Sequence, residues 1–172
     1  MIDPALATAL NRHMNYEIYS AMIYFSMAGW LEYKGLAGCA RWMHVQGQEE
    51  MLHAQKFYRF ILDRDARIQL DGSEAPPQEW DHLLAVFTSS YEHECAVTQR
   101  INQLMDLSLK HSDHATSNFL QWFIQEQVEE EATARDIVDK LKLIGDDGSA
   151  TLLIDQELGK RSLQVDAAQF GA

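Results

Sequence analysis

The sequence predicts an all-α protein, a four-helix bundle with one long crossover and a short fifth C-terminal helix. Four stretches carry apolar residues at alternating intervals of three and four positions, which places them on one face of a helix. Each face is interrupted near its middle by residue types that bind metals. Charges on an inward face are costly unless they are paired or bound to a cation, so the pattern predicts a cation site inside the bundle. The interrupting residues are Glu17, Glu50 with His53, Glu94, and Gln127 with Glu130.

The first two helices are delimited by local signals. Asp3-Pro4 is typical of an N-cap followed by proline at the first helical position. From there the first helix is expected to reach about Tyr33, where a glycine-containing turn follows. The second helix is expected from about Cys39 to Arg64.

An irregular stretch separates the second and third helices. Residues 66–79 contain an Asp-Gly and a Pro-Pro pair, which favour turns, so the third helix is expected from about Trp80 to Lys110. Asp113 can cap a fourth helix that ends at Gly145. A short fifth helix, at about residues 150–160, follows an Asp-Asp-Gly turn.

The lengths of the connections predict the topology. Short links join the first helix to the second and the third to the fourth, so each pair is antiparallel. The crossover of about 15 residues can extend over ~50 Å and the second helix rises ~39 Å, so the second and third helices can be parallel. We expect one domain over residues 1–172, with the bundle at about 4–145 and a flexible tail at about 163–172.

Composition limits the classes of partner. The chain has 172 residues, of which 47% are hydrophobic, and a formal charge of −12. Such a surface repels nucleic acid and anionic lipid and attracts cations, so neither a nucleic-acid nor a membrane partner is expected. Cys39 and Cys95 form no paired motif, which argues against a zinc finger or a disulfide framework. The chain start lacks the pattern of a signal peptide, so a cytoplasmic location is expected.

The interrupting residues are expected to converge at one level of the bundle. Each lies within a few residues of its helix midpoint, which places all of them within about 5 Å of one height. One histidine among carboxylate oxygens suits Fe(II) or Mn(II), and four carboxylates carry enough charge for two divalent ions. We expect Glu50 to bridge the two ions. The other ligands divide into His53 and Glu17 for one ion, and Glu94 and Glu130, with Gln127 close by, for the other.

Structural alternatives compete with this interpretation. A single buried acid is more often a paired structural residue, but a salt-bridged core would need inward Lys or Arg, and the four faces contain none. A second acidic cluster could form a third, weaker cation site or an ordinary solvated face. The run 129–131 has no nearby basic partner, which favours the cation role. The cluster consists of Glu49, Glu126, Glu129 and Glu130.

Tyr24 lies two turns after Glu17 on the same helical face. Its phenol could donate an electron or hydrogen-bond to a ligand, and packing as a core aromatic residue is an equal alternative. The remaining histidines show no ligand spacing and are interpreted as surface residues. They are His13, His44, His82, His93, His111 and His114.

At these residues the chain resembles the bacterial non-haem ferritins, over nearly its whole length. The resemblance implies a ferritin-like fold and a cage of 24 subunits. It also implies oxidation of Fe(II) by O2 or H2O2 at a di-iron ferroxidase centre, with Fe(III) stored as mineral in the cavity. The shared motifs are Asn15-x-Glu17, Gln48-Glu49-Glu50-Met51-x-His53, Tyr91-x-x-Glu94, Asn118-Phe119-Leu120-Gln121-Trp122, Glu126-Gln127-x-Glu129-Glu130-Glu131 and Ile154-Asp155-x-Glu157-Leu158.

The resemblance also assigns roles to residues. Glu50 and His53 are implied to be catalytic, with Tyr24 beside the centre. The implied iron ligands are Glu17, Glu50 and His53 for the first ion, Glu50, Glu94 and Glu130 for the second, and Glu49, Glu126, Glu129 and Glu130 for the third.

Related families fit less well. Bacterioferritin carries a second Glu-x-x-His on its fourth helix, where this chain has Gln127-x-x-Glu130, and Met51 alone is a weak haem signal, so haem is not expected. Rubrerythrin has a Cys-rich iron domain that is absent here, and DNA-coating mini-ferritins usually lack the fifth helix. Two other functions stay open. One is a di-iron oxidase or peroxidase that acts in oxidative-stress defence without bulk iron storage, and the other is a metal-free structural cage partner.

The fifth helix bears on assembly. A bundle of this length is expected to complete its core without it, yet the helix is strongly apolar. We therefore expect it to pack in a symmetric contact between subunits, which by resemblance is the four-fold axis of the cage. Its apolar residues are Leu152, Leu153, Ile154 and Leu158.

Overall fold

A computed structural model describes residues 2–163, which form five helices and no strand. The helices are α1 (Pro4–Tyr33), α2 (Ala37–Asp63), α3 (Leu83–Lys110), α4 (His114–Ile144) and α5 (Gly148–Leu158). The predicted all-α four-helix bundle with a short fifth helix is confirmed. None of the helices in this part of the chain is long and apolar enough to cross a membrane. The predicted tail falls, apart from its first residue, outside the described residues.

The helix ends follow the predicted capping signals with two corrections. Asp3 accepts a hydrogen bond from the Ala5 amide at 2.8 Å, and Gly145 closes α4 with a φ of 59°. The third helix begins at Leu83 rather than Trp80, because the His82 side chain caps it by accepting a hydrogen bond from the Ala85 amide. The second helix begins two residues earlier than expected.

The crossover runs along α1 for most of the bundle's length. Asn11 donates to the Arg67 carbonyl and accepts from the Gln69 amide, at 3.1 and 2.8 Å. Near the other end of α1, the Trp30 indole donates to Glu79 at 3.3 Å. The crossover therefore travels in the same direction as α1, from the end of α2 back to its beginning. It starts α3 parallel to α2, as predicted.

Two apolar clusters lie on either side of the level at which the acids occur. One contains Tyr24, Trp42 and Phe87, and the other contains Phe57 and Phe123 with aliphatic residues of all four long helices. Burial of such side chains stabilises the fold by about 1.5–3 kcal/mol each. The clusters pack the long helices together on either side of the acidic level.

The expectation that all four apolar residues of α5 pack between subunits was wrong for two of them. Ile154 and Leu158 of α5 are buried in the first apolar cluster. Asp155 accepts a hydrogen bond from the Cys39 amide at 2.8 Å, and α2 has no side-chain cap of its own. A Cβ on Gly38 would lie 1.8 Å from the Asp155 carbonyl oxygen. Helix α5 therefore caps α2, and a glycine permits its close approach.

Candidate metal centre

Each of the four long helices contributes at least one buried polar side chain of a type that binds metals. These side chains lie at one level of the bundle. Their exposed fractions are 0% for Glu17, 1% for Glu50, 5% for His53, 1% for Glu94, 3% for Gln127 and 7% for Glu130. None of the buried residues within 2–163 is Lys or Arg. Buried carboxylates without a Lys or Arg partner are costly, so this arrangement is suited to holding cations.

The first half of the centre is formed by Glu17, Glu50 and His53. One ligand atom from each of the three lies within 4.8 Å of the other two. The His53 Nδ1 atom lies 3.6 Å from Glu50 Oε2. Both oxygens of Glu17 and Oε2 of Glu50 have no hydrogen-bond partner. Buried oxygens of this kind are free to bind a cation.

The second half is linked by hydrogen bonds to Glu94. The Tyr24 hydroxyl donates to Glu94 Oε1 and lies 3.2 Å from Ser90 Oγ. Gln127 donates its amide to Glu94 Oε2 at 3.2 Å and to Thr98 Oγ1 at 3.3 Å. Gln127 therefore supports a ligand through its nitrogen in this structure, whereas the sequence analysis assigned it a carbonyl oxygen near the ion.

A residue that the sequence analysis did not select connects the two halves. Gln46 donates to Glu50 Oε1 at 3.3 Å and to Glu130 Oε2 at 2.8 Å. One oxygen of Glu50 thus lies on the side of Glu17 and His53. The other accepts the hydrogen bond from Gln46, which links Glu50 to Glu130. This central position is the one required of a bridging carboxylate. Gln46 lies one turn before Glu50 on the same face, so helical spacing alone could have identified it.

The electrostatics of the centre favour bound protons when no metal is present. Burial raises the pKa of Glu17, Glu50, Glu94 and Glu130, and repulsion between the carboxylates raises the last two further. Burial lowers the pKa of His53, but its interaction with the Glu50 carboxylate 3.6 Å away and the surrounding negative charges outweigh burial and raise the pKa to about 10. Burial, then the charge of Glu94, raise the Tyr24 pKa, so the phenol stays protonated and can donate to Glu94.

The second acidic cluster lines an open cavity of about 960 Å³ beside the centre. Its members differ in exposure: Glu130 is buried, Glu49 and Glu126 are half-buried and Glu129 is exposed. Burial raises the pKa of Glu49 to about 7, although the nearby Arg161 guanidinium opposes the shift. His53 lines the same cavity, which connects the cluster to the first half of the centre.

The absence of a basic partner was predicted for the run 129–131, but another member of the cluster has one. Arg161, which follows α5, contacts Glu49 and lies 4.3 Å from the centroid of the Trp42 ring. Lys56 also lines the cavity, with its Nζ 3.0 Å from the Trp122 ring centroid. Arg161 lies 112 residues from Glu49 along the chain, so only the docking of α5 reveals this pair.

The interpretation of six histidines as surface residues was also wrong in part. His13 has an exposed fraction of only 3%, and its Nε2 lies 2.7 Å from Glu17 Oε1. His93 is half-buried and hydrogen-bonds Ser20 at 2.8 Å. His13 precedes Glu17 by four residues and so shares its helical face, which is the signal that could have identified it. His44 and three other histidines are not among the buried residues.

Comparison with known proteins gives consistent matches over most of the chain. The family profile described as Ferritin-like domain matches residues 7–144. A bacterial non-heme ferritin of Campylobacter jejuni is 40% identical over 156 residues, which cover 91% of this chain and 93% of that protein. A bacterial non-heme ferritin of Escherichia coli O157:H7 is 36% identical, with coverage of 95% and 99%.

Solved structures agree with the sequence matches. An open-pore ferritin from the archaeon Archaeoglobus fulgidus superimposes with a TM-score of 0.93 at 50% identity, covering 94% of this chain and 99% of that one. A closed form of the Archaeoglobus fulgidus ferritin, engineered by mutagenesis, gives a TM-score of 0.94 at 49% identity, with coverage of 95% and 100%.

Proposed function

From the premise that this chain belongs to the ferritin family, we propose that it is an iron-storage subunit that oxidises Fe(II) at a di-iron centre. One observation carries the proposal. Ligand atoms of Glu17, Glu50 and His53 lie within 4.8 Å of one another, and the carboxyl groups of Glu94 and Glu130 are buried at the same level, where none of the described buried residues is Lys or Arg. Oxygen-rich sites of this charge suit Fe(II), and they stabilise the higher charge of Fe(III) more strongly.

Different sets of residues bind the two iron ions at the centre. Glu17, Glu50 and His53 bind the first Fe(II), and Glu50, Glu94 and Glu130 bind the second. Each iron gives one electron to O2 or H2O2. Tyr24 and Gln127 donate hydrogen bonds to Glu94, so they hold the direction of that carboxylate. Orientation of ligands by such partners commonly changes metal affinity by ~10–100-fold.

The cavity next to the centre is proposed to hold a third, weaker iron site. Glu49, Glu126, Glu129 and Glu130 all line it. The exposure of Glu49, Glu126 and Glu129 makes these three acids weaker ligands than the buried set, because water and salt screen their charge. The contact of Arg161 with Glu49 adds competition from a cation of the protein itself. An ion at this position is therefore expected to exchange readily.

Storage requires assembly, and α5 supplies a surface for it. Leu152 and Leu153 have exposed fractions of 57% and 67%, while their neighbours on α5 are buried in the bundle. Exposed apolar side chains side by side favour a protein contact. We propose a cage of 24 subunits, for which the −12 charge of each chain gives 24 × −12 = −288 in total. A field of this sign concentrates cations at the shell. The cytoplasmic location stays a prediction that cell fractionation tests.

The decisive experiment is aerobic oxidation of Fe(II) by the metal-free protein. Oxidation should exceed the protein-free rate, and a variant carrying Glu50→Ala and His53→Ala should lose most of the fast phase. A matched control carries Glu92→Ala and His44→Ala, which alter an exposed acid and an exposed histidine on the same bundle. If the first double variant oxidised iron as fast as the control, the centre would lie elsewhere.

The competing function, a di-iron oxidase or peroxidase without storage, makes a different demand on the structure. Such an enzyme needs an apolar substrate pocket beside the metals. The cavity that reaches His53 is lined by five acidic residues together with Lys56, Lys160 and Arg161, so it is strongly polar and suits a cation better than an apolar substrate. Retention of an iron core that co-elutes with the assembled protein separates the two functions.

A further inference from the structure

A second histidine lies against the first half of the centre. His13 is one helical turn before Glu17 on α1, and its Nε2 atom is 2.7 Å from Glu17 Oε1. The imidazole is buried, and its ring lies edge-on to Phe57 at 4.7 Å between centroids. Packing against the aromatic ring holds the imidazole in the orientation that presents Nε2 to the carboxylate.

Each ring nitrogen of the imidazole can make one hydrogen bond, and a ring nitrogen either carries an N–H or offers a lone pair. Because Nε2 faces a carboxylate oxygen, which only accepts, the tautomer with hydrogen on Nε2 suits this contact.

The polar groups beside the Glu17 carboxyl include Glu50 and His13. Neither of the Glu17 oxygens has a hydrogen-bond partner in the structure. The Nε2 atom of His13 lies close to Oε1, but the two groups are not aligned as a hydrogen bond. Buried carboxylates normally have partners, so two unpartnered oxygens on one residue require an explanation. A cation on one oxygen and the His13 N–H on the other account for both.

We propose that His13 is a positioning residue, which holds Glu17 Oε1 through Nε2–H and leaves Oε2 for the first Fe(II). This rests on the function proposed above. The imidazole limits the rotation of the carboxylate, so Glu17 meets the ion already oriented. Loss of an orienting partner of this kind typically weakens metal binding by ~10–100-fold. A residue that only filled space beside Phe57 would have no such effect.

Two substitutions separate positioning from packing. His13→Gln keeps an N–H donor at a similar reach, whereas His13→Leu keeps an apolar filler and removes the donor. The probe is Zn(II), which does not change oxidation state, titrated calorimetrically into the metal-free protein. We expect the affinity of the first site to fall ~10–100-fold in His13→Leu and to stay within about threefold of wild type in His13→Gln.

Denaturant unfolding and Zn(II) affinity of the His13 variants distinguish the remaining outcomes. Metal-free His13→Leu should keep a cooperative unfolding transition, because the leucine fills the space beside Phe57 even though Glu17 Oε1 loses its donor. His13→Met replaces it if the leucine variant does not fold. Wild-type Zn(II) affinity in His13→Leu, or an equal loss in His13→Gln, would overturn the positioning role. If wild-type protein bound no Zn(II) at Glu50 and His53, the proposed di-iron centre itself would fail instead.

Discussion

Replacement of Glu17 by Leu should stabilise the metal-free protein while it weakens the metal site. Glu17 is fully buried, and neither of its oxygens has a hydrogen-bond partner. Burial raises its pKa, which shows that its charged form is disfavoured at this position. An acid in this position opposes folding until a cation binds, so an apolar side chain of similar size should fit the metal-free bundle better.

The magnitude follows from three contributions. Removal of two orphaned buried oxygens gains about 2 kcal/mol, at the lower end of the desolvation range. The leucine adds about 1 kcal/mol of apolar burial, and loss of the 2.7 Å contact with His13 removes about 1 kcal/mol. We expect a net gain of about 2 kcal/mol per subunit. Zn(II) at 1,000 times its dissociation constant stabilises the wild type by about 4.1 kcal/mol. In the presence of Zn(II) the wild type should therefore be more stable than Glu17→Leu.

Urea unfolding followed by circular dichroism, at one subunit concentration and with and without Zn(II), measures both effects. Glu32→Leu is the matched control, because Glu32 is an exposed acid on the same helix, and it should change neither measurement by more than about 0.5 kcal/mol. A metal-free Glu17→Leu protein that is less stable than wild type would refute the reasoning, since Glu17 would then be a satisfied structural residue.

Three further predictions concern protons, the fifth helix and the cavity. The raised carboxyl pKa values mean that the metal-free folded state binds more protons than the unfolded state above the usual 4.5. Its stability should therefore fall as the pH rises from about 4.5, while Zn(II) affinity should rise and protons should be released into a weak buffer on binding. Gly38→Ala should displace α5, because its Cβ would meet the Asp155 carbonyl, and hydrogen exchange should show faster opening at the start of α2. Arg161→Gln should free Glu49 and increase the occupancy of a third Zn(II) in anomalous diffraction, whereas unchanged occupancy would remove Arg161 as a competitor.

Much of the fold was accessible from sequence because its signals are local. The spacing of apolar residues defines the inner face of each helix, and caps such as Asp3 and Gly145 act within a few residues of the helix end. The ligand level followed from the same spacing, since Glu17, Glu50 and Glu94 each interrupt an otherwise apolar face. No tertiary information was required to place these residues in the interior.

The parts that sequence reasoning missed depend on contacts that are distant along the chain or on how a polar group is satisfied. Asp155 caps α2 across 116 positions, and Arg161 reaches the cavity through the same docking of α5. His13 has the correct spacing from Glu17, but an imidazole alone on an amphipathic helix does not reveal whether it is buried. Gln46 was similarly recognisable as inward-facing, while its role in joining Glu50 to Glu130 required the coordinates of both helices.

The position of the centre between two apolar clusters explains how the bundle maintains an arrangement that is unfavourable in itself. Side chains such as Phe57 and Phe87 hold the four long helices on either side of the acids. The acids are therefore brought together by packing that does not involve them. Gln46 and Gln127 place amide hydrogens against three of the carboxylates, which reduces their repulsion without adding a fixed positive charge. A lysine or arginine in the same place would form a stable ion pair and compete with the metal. The neutral amides of Gln46 and Gln127 therefore satisfy buried carboxylate oxygens of Glu50, Glu94 and Glu130 without a permanent counter-charge, which is the arrangement expected of a layer proposed to exchange these hydrogen bonds for a divalent ion.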